Sequence, residues 1–300
     1  MRIGLMFGGS DGSLAAATAQ ARRAEGLGFS SFWMPNIFGL DAIGALALVG
    51  REVGRIELGT AVVPTYPRHP VALAQQALTT AAATGGRFTL GIGLSHKIVI
   101  EDLFGLDYSK PARHMREYLE VLAPLLRGEP AKHEGSEYRV NVGLQVPGAT
   151  PVSVLVAALG PVMLGIAGRL ADGTITWMTG PATLESHIVP TLAKAARDAG
   201  RPTPRVVAGL PIALTRDVGA AREAVGKFFE IYGTLPSYRA MLDREGAAGP
   251  ADVAMLGDEH ALRAQIDRLR DAGVTDLDAA IAPVDEGAEE RTLEFLASLS

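Results

Sequence analysis

The strongest constraint on this chain is an alternation. Short runs of β-branched and apolar residues are separated by longer amphipathic stretches from one end to the other. Strands are expected over residues 2–7, 31–34, 56–63, 87–93, 152–158, 174–177, 205–214 and 276–281. Helices are expected over 13–27, 40–53, 70–84, 111–126, 162–170, 184–199, 220–232, 259–272 and 289–299. The run Ile56-Glu57-Leu58-Gly59-Thr60-Ala61-Val62-Val63 is apolar on both faces, as a parallel strand buried beneath helices should be. Alternating parallel chains have two common solutions, an open doubly wound sheet and a closed (β/α)8 barrel. The doubly wound dinucleotide fold needs a Gly-x-Gly-x-x-Gly turn after its first strand, and Gly8-Gly9-Ser10-Asp11-Gly12 lacks that spacing. Eight βα units over 300 residues therefore point to one α/β domain, a TIM barrel spanning residues 1–300.

Two segments break the rhythm. Residues 129–147 are bounded by proline and glycine, with alternation around Tyr138-Arg139-Val140, and read as an inserted hairpin. Residues 234–257 form a longer excursion, loosest at Ala247-Ala248-Gly249-Pro250, and read as a loop that either walls or covers a pocket or only decorates the surface.

Composition narrows the chemistry. There is no cysteine, which excludes disulfides, thiolate nucleophiles and cysteine-ligated metals. A net charge of −5 and the lack of any basic run give no attraction to nucleic acid or to an anionic membrane. The most apolar stretch, residues 41–50, is too short to cross a bilayer, and the first residues lack a secretory pattern. A soluble, cytoplasmic protein acting on a small molecule is expected.

Three motifs compete for attention. Gly8-Gly9-Ser10-Asp11-Gly12 matches Gly-x-Ser-x-Gly, but a nucleophile elbow there would have no earlier strand to supply its oxyanion hole. A glycine-rich turn is the better reading. The 6 histidines form no metal-binding pair, so no metal is expected. Gly91-Ile92-Gly93 opens like a dinucleotide fingerprint, with His96 where the third glycine belongs.

A barrel places its site at the C-terminal ends of its strands. The residues there are Asn36, 61–66, 94–97, Gly160 and Thr179-Gly180. Trp33 and Trp177 fall near such ends, where packing is the commoner role. Gly160 and Gly180 either let backbone N–H groups approach an anion at a helix start or simply close turns.

The stretch IELGTAVVPTYPRHPVALAQQALTTAAATGGRFTLGIG (56–93) resembles the core of the luciferase-like monooxygenase superfamily. AEGLGFSSFW, LVAALGPVMLGIAGRLADGTITW and LRDAGVTDLDAAI are similar to its other landmarks. GLSHK and PARHMREYLEVLAPLLRG look closest to the branch that uses coenzyme F420, a 5-deazaflavin, in place of FMN. The resemblance implies a bacterial luciferase-like barrel with a non-prolyl cis peptide at Ala61–Val62 behind the deazaflavin ring. It puts Leu94, Ser95 and His96 along the ring and ribityl chain. Leu159, Gly160, Thr179 and Gly180 match the phosphate cradle. The histidine that sugar-phosphate dehydrogenase members carry after strand two is here Asn36, and their glutamate after strand four is His96. Glucose-6-phosphate is therefore a poor substrate guess. The expected reaction is hydride transfer between deazaflavin C5 and a small organic substrate, reducing an activated C=C or C=N bond. His96 is the expected general acid and Asn36 an orienting amide. The alternatives are an FMN-dependent monooxygenase and a non-catalytic flavin- or deazaflavin-binding protein. The family's habit implies a homodimer.

Overall fold

In the computed structural model, which describes residues 1–9 and 11–299, parallel strands close on themselves into a barrel. Ser10, the serine of the elbow pattern, lies outside the described residues. The strands are β1 (Arg2–Met6), β2 (Ser31–Met34), β3 (Glu57–Thr60), β4 (Val63–Pro64), β5 (Phe88–Gly93), β6 (Ala131–Glu134), β7 (Arg139–Val142), β8 (Ser153–Val156), β9 (Gly173–Trp177), β10 (Arg205–Leu214), β11 (Met255–Gly257) and β12 (Asp276–Ile281). The closed order runs β1-β2-β3-β5-β8-β9-β10-β12 and back to β1, every pairing parallel. These are the eight positions that the alternation marks out.

Helices cover the outside: α1 (Leu14–Gly26), α2 (Ala42–Val49), α3 (Pro70–Ala83), α4 (Pro111–Leu126), α5 (Pro161–Leu170), α6 (Pro181–Thr183), α7 (Val189–Asp198), α8 (Val218–Phe228), α9 (Pro236–Glu245), α10 (Glu259–Asp271) and α11 (Ala288–Ala297). Several start where a side-chain oxygen accepts an otherwise orphaned N–H: Ser13 from Ala16, Asp41 from Gly44, Asp217 from Ala220 and Asp258 from Ala261. The Asp41 cap and Gly50 at the far end hold α2 to Ala42–Val49, shorter than the expected 40–53. Helix α4 buries Met115, Tyr118, Leu119, Leu122, Leu125 and Leu126, a stripe at three- and four-residue spacing that faces the core.

Both insertions carry structure. β6 and β7 form the antiparallel hairpin. Glu117 on α4 anchors its turn, accepting N–H bonds from Ser136 (3.1 Å), Glu137 (2.7 Å) and Tyr138 (3.2 Å). Burial pushes the Glu117 carboxyl up, but those donors outweigh it and bring the pKa down to about 2. The 234–257 excursion, expected as a loop, holds α9 and β11. β10 is ten residues long and overruns the barrel, so Ile212–Leu214 offer an edge that Met255–Gly257 pairs with.

Inside the barrel, side chains from every second residue stack in layers. At the N-terminal ends Arg205 donates to Asp276 (3.0 and 2.6 Å) and to Glu57 (2.6 and 3.3 Å), with Arg2 alongside. A cleft of about 420 Å³ opens beside this cluster, between Arg2, Glu57, Arg87, Thr89 and Arg205. That end of a TIM barrel serves stability. Above it Trp33, Leu155, Ile175 and Val207 form an apolar layer, with Ala61 and Val62 packed against them.

Candidate functional site at the barrel mouth

Residues 56–63 do not form one continuous strand. β3 stops at Thr60, the Ala61–Val62 peptide is cis, and β4 resumes at Val63 beside β5. The hydroxyl of Thr60 holds the bulge in place, donating to the Gly91 carbonyl and accepting from the Gly91 N–H, both at 2.8 Å. A Cβ at Gly91 would lie 2.0 Å from the Thr60 carbonyl oxygen. One at Gly93 would lie 2.7 Å from Val62 Cγ2. The Gly-Ile-Gly run thus makes room for a backbone bulge instead of binding a dinucleotide. The product is a half-buried shelf, Ala61–Val62, backed by the apolar interior layer.

Beyond β5 the chain turns through Ser95, whose φ of 60° is left-handed, and presents Leu94, Ser95 and His96 at the rim. The Tyr108 hydroxyl donates to the Ser95 carbonyl at 3.4 Å, and the His96 carbonyl accepts from Val99 and Ile100 at 2.9 and 3.0 Å. The His96 ring lies 5.7 Å from that of Tyr238 on α9. Burial pushes the His96 imidazole below its ordinary pKa.

Asn36 is half-buried after β2, and its Oδ1 accepts from the Ala42 N–H at 3.0 Å. The amide Nδ2 is left for a ligand. On the opposite rim the Leu159 carbonyl accepts from His187 Nε2 at 2.8 Å. Gly160 opens α5 with Pro161 at its first position and no side-chain cap, and a Cβ at Gly160 would meet nothing within 4 Å.

The second expected anion position differs. Thr179 and Gly180 precede α6, but the Ala182 and Thr183 N–H groups donate to the carboxylate of Glu245, at 3.0 and 2.7 Å. Glu245 sits at the end of α9, in the excursion, so the chain supplies its own anion there.

Aromatic residues just before the excursion and on its helix α9 form a wall. Trp177 contacts the rings of Phe229 (5.6 Å) and Tyr232 (6.1 Å), and Tyr232 contacts Tyr238 (5.1 Å). Reasoning from sequence allowed a wall from the 234–257 excursion but named neither Phe229, Tyr232 and Tyr238 nor Glu245. The available signal was the cluster of four aromatics Phe228, Phe229, Tyr232 and Tyr238 within eleven residues.

Comparison with known proteins agrees with this geometry. The family described as luciferase-like monooxygenase matches residues 2–292. A 5,10-methylenetetrahydromethanopterin reductase of Archaeoglobus fulgidus is 29% identical over 237 residues, covering 76% of this chain and 69% of that protein. The structure of coenzyme F420-dependent tetrahydromethanopterin reductase from Methanopyrus kandleri superposes with a TM-score of 0.82 at 23% identity, covering 99% of this chain and 97% of the other. The oxygenating constituent of 3,6-diketocamphane monooxygenase from Pseudomonas putida, a type II Baeyer–Villiger enzyme in complex with FMN, superposes at 0.77 with 16% identity, covering 99% and 97%.

Proposed function

Because the chain belongs to the luciferase-like monooxygenase family, we propose that it is an oxidoreductase binding coenzyme F420 at the barrel mouth. It moves a hydride between deazaflavin C5 and a small organic substrate, reducing an activated C=C or C=N bond. The observation that carries this reading is the Ala61–Val62 shelf, an apolar backing of the kind a planar ring needs, with Leu94, Ser95 and His96 along one side. The structural likeness to an F420-dependent reductase supports it.

The residues present fit such a group. The shelf would back the ring, and the uncapped start of α5 at Gly160 would take a phosphate on its N–H groups. The start of α6 is already satisfied by Glu245, so the cradle is narrower than the resemblance implies. A bound deazaflavin supplies two-electron hydride chemistry, because its C5 is carbon and does not activate oxygen. The protein's part is to hold the ring against the substrate and keep water out, which the Phe229–Tyr232–Tyr238 wall serves. His96, half-buried, offers a ring nitrogen to the reacting group, and the Asn36 amide orients it. A homodimer belongs to the same proposal.

The second reading is an FMN-dependent monooxygenase, favoured by the shared fold with the FMN-bound camphane enzyme. Fluorescence titration with F420 and FMN separates the two. Tight F420 binding with FMN at least an order of magnitude weaker is the expected result. The reverse preference sinks the F420 reading.

A further inference from the structure

Asp278 sits in β12 and is fully buried, and it is the only carboxylate among the described residues with both oxygens buried and unpartnered. Its neighbour on the same strand face, Asp276, is bound by Arg205. Same-face residues repeat every second position, so Asp278 also points into the barrel, roughly 6–7 Å nearer the mouth. The cation below is out of play: Arg205 is shared between Asp276 and Glu57, and Arg2 lies against the same two carboxylates.

The surroundings of Asp278 are unusual. Its register partners are Gly4 on β1 and Gly209 on β10, so neither neighbouring strand puts a side chain beside it. The Ser31 hydroxyl and the Trp33 indole fold over Gly4, where a Cβ would lie 2.2 Å from Ser31 Oγ, and the Trp177 indole folds over Gly209. A Cβ at Gly4 would lie 2.9 Å from Trp33 Nε1, and one at Gly209 would lie 3.0 Å from Trp177 Cε3 and 3.5 Å from the Met6 methyl. Trp33 spends its N–H on Ser31 Oγ at 2.9 Å. Trp177 belongs to the aromatic wall of the mouth. The carboxyl therefore lies in the barrel interior, one layer above the Arg205 cluster and level with the glycines over which Trp33 and Trp177 fold.

The geometry points to Asp278 as a neutral carboxylic acid that donates a hydrogen bond upward to a planar, acceptor-bearing ligand seated in the mouth. A buried acid with no partner is an expensive arrangement, and filling it with a ligand carbonyl or ring nitrogen removes the cost. Burial, with the Asp276 carboxylate nearby, pushes its pKa well above the ordinary carboxyl range, which keeps the donor proton in place. The inference rests on the mouth being the ligand site, as proposed above.

Infrared difference spectroscopy at neutral pH, wild-type minus D278N, tests it alongside titration of wild type, D278N and D278L with F420 and FMN. The expected result is a protonated-carboxyl C=O band that is absent in D278N and shifts when the cofactor binds. D278L, which removes the donor, should weaken binding about tenfold, and D278N, which keeps an N–H, should recover part of that. A band that cofactor leaves unmoved, as for an acid bonded only to an internal water, overturns the inference, as does equal binding by all three proteins. Failure of wild type to bind either cofactor removes the reading of the mouth and this inference with it. The two failures are thus distinguishable, and D278L, close in size to the native residue and apolar, covers the case in which D278N does not fold.

Discussion

His96 shows how a single side chain's environment revises its chemistry. Position and residue type suggest a general acid, and burial lowers its pKa, which confines its charged form to lower pH than for an ordinary histidine. If it donates the reaction's proton as imidazolium, the active form exists only below that lowered pKa. Turnover should then fall as pH rises through a point under 6.5. Replacing His96 with glutamine should remove that pH limb and cost roughly 10²–10⁴ in kcat with cofactor affinity kept. A pH profile identical in H96Q and wild type, with weaker cofactor binding alone, would make His96 a ligand contact only. Gly91 and Gly93 make the complementary point. Their missing side chains, not any reactive group, are what allow the shelf to exist.

At the level of elements, the excursion behaves as part of the barrel wall. Helix α9 is fastened at one end by Tyr238 beside His96 and at the other by Glu245 on the start of α6. A carboxylate accepting two orphan N–H groups at a helix N-terminus is a strong cap. Truncation of Glu245 to alanine should lower stability by about 0.5–2 kcal/mol and speed amide exchange across Pro236–Glu245 specifically. Unchanged exchange in that helix would mean the wall is held by its aromatic contacts alone. The 131–142 hairpin is secured in the same way, by Glu117 reaching its turn from α4. In each insertion one acidic side chain makes the tie to the body, reaching in from α4 at the hairpin and out from α9 at the excursion.

For the whole molecule, closure of the barrel depends on strands far apart in sequence meeting at Arg205. This residue of β10 joins Glu57 of β3 to Asp276 of β12 across the interior. Burial pushes the Glu57 carboxyl up, but its bonds to Arg205 hold it below the usual range. Replacing Arg205 with methionine leaves the two inward carboxylates with Arg2 and the hydroxyls of Thr89 and Thr275. A loss of about 3–5 kcal/mol is expected from the urea midpoint. A change under about 1 kcal/mol would show that the cluster is solvated enough to do without its central cation.

The alternation of apolar runs and amphipathic stretches was enough to place all eight barrel strands, because burial on both faces leaves a pattern that depends only on local order. The rim positions Asn36, Leu94, Ser95, His96, Gly160 and Gly180 were legible for the same reason, since strand ends in a barrel define its mouth. The Ala61–Val62 cis bond entered through resemblance alone, for nothing in those two residue types encodes it. β11 was not legible, because its pairing exists only where an overlong β10 offers an edge. Nor was the use of Glu245 at α6, which joins residues 62 and 63 positions apart. The sequence places Asp278 in a strand and assigns it no role. Only barrel closure, which sets glycines on both sides of it and an Arg205 already committed to other carboxylates beneath, leaves it buried without a partner. Periodicity is a one-dimensional signal and survives in the sequence, whereas charge pairing and close approach across the barrel are set by which distant strands meet.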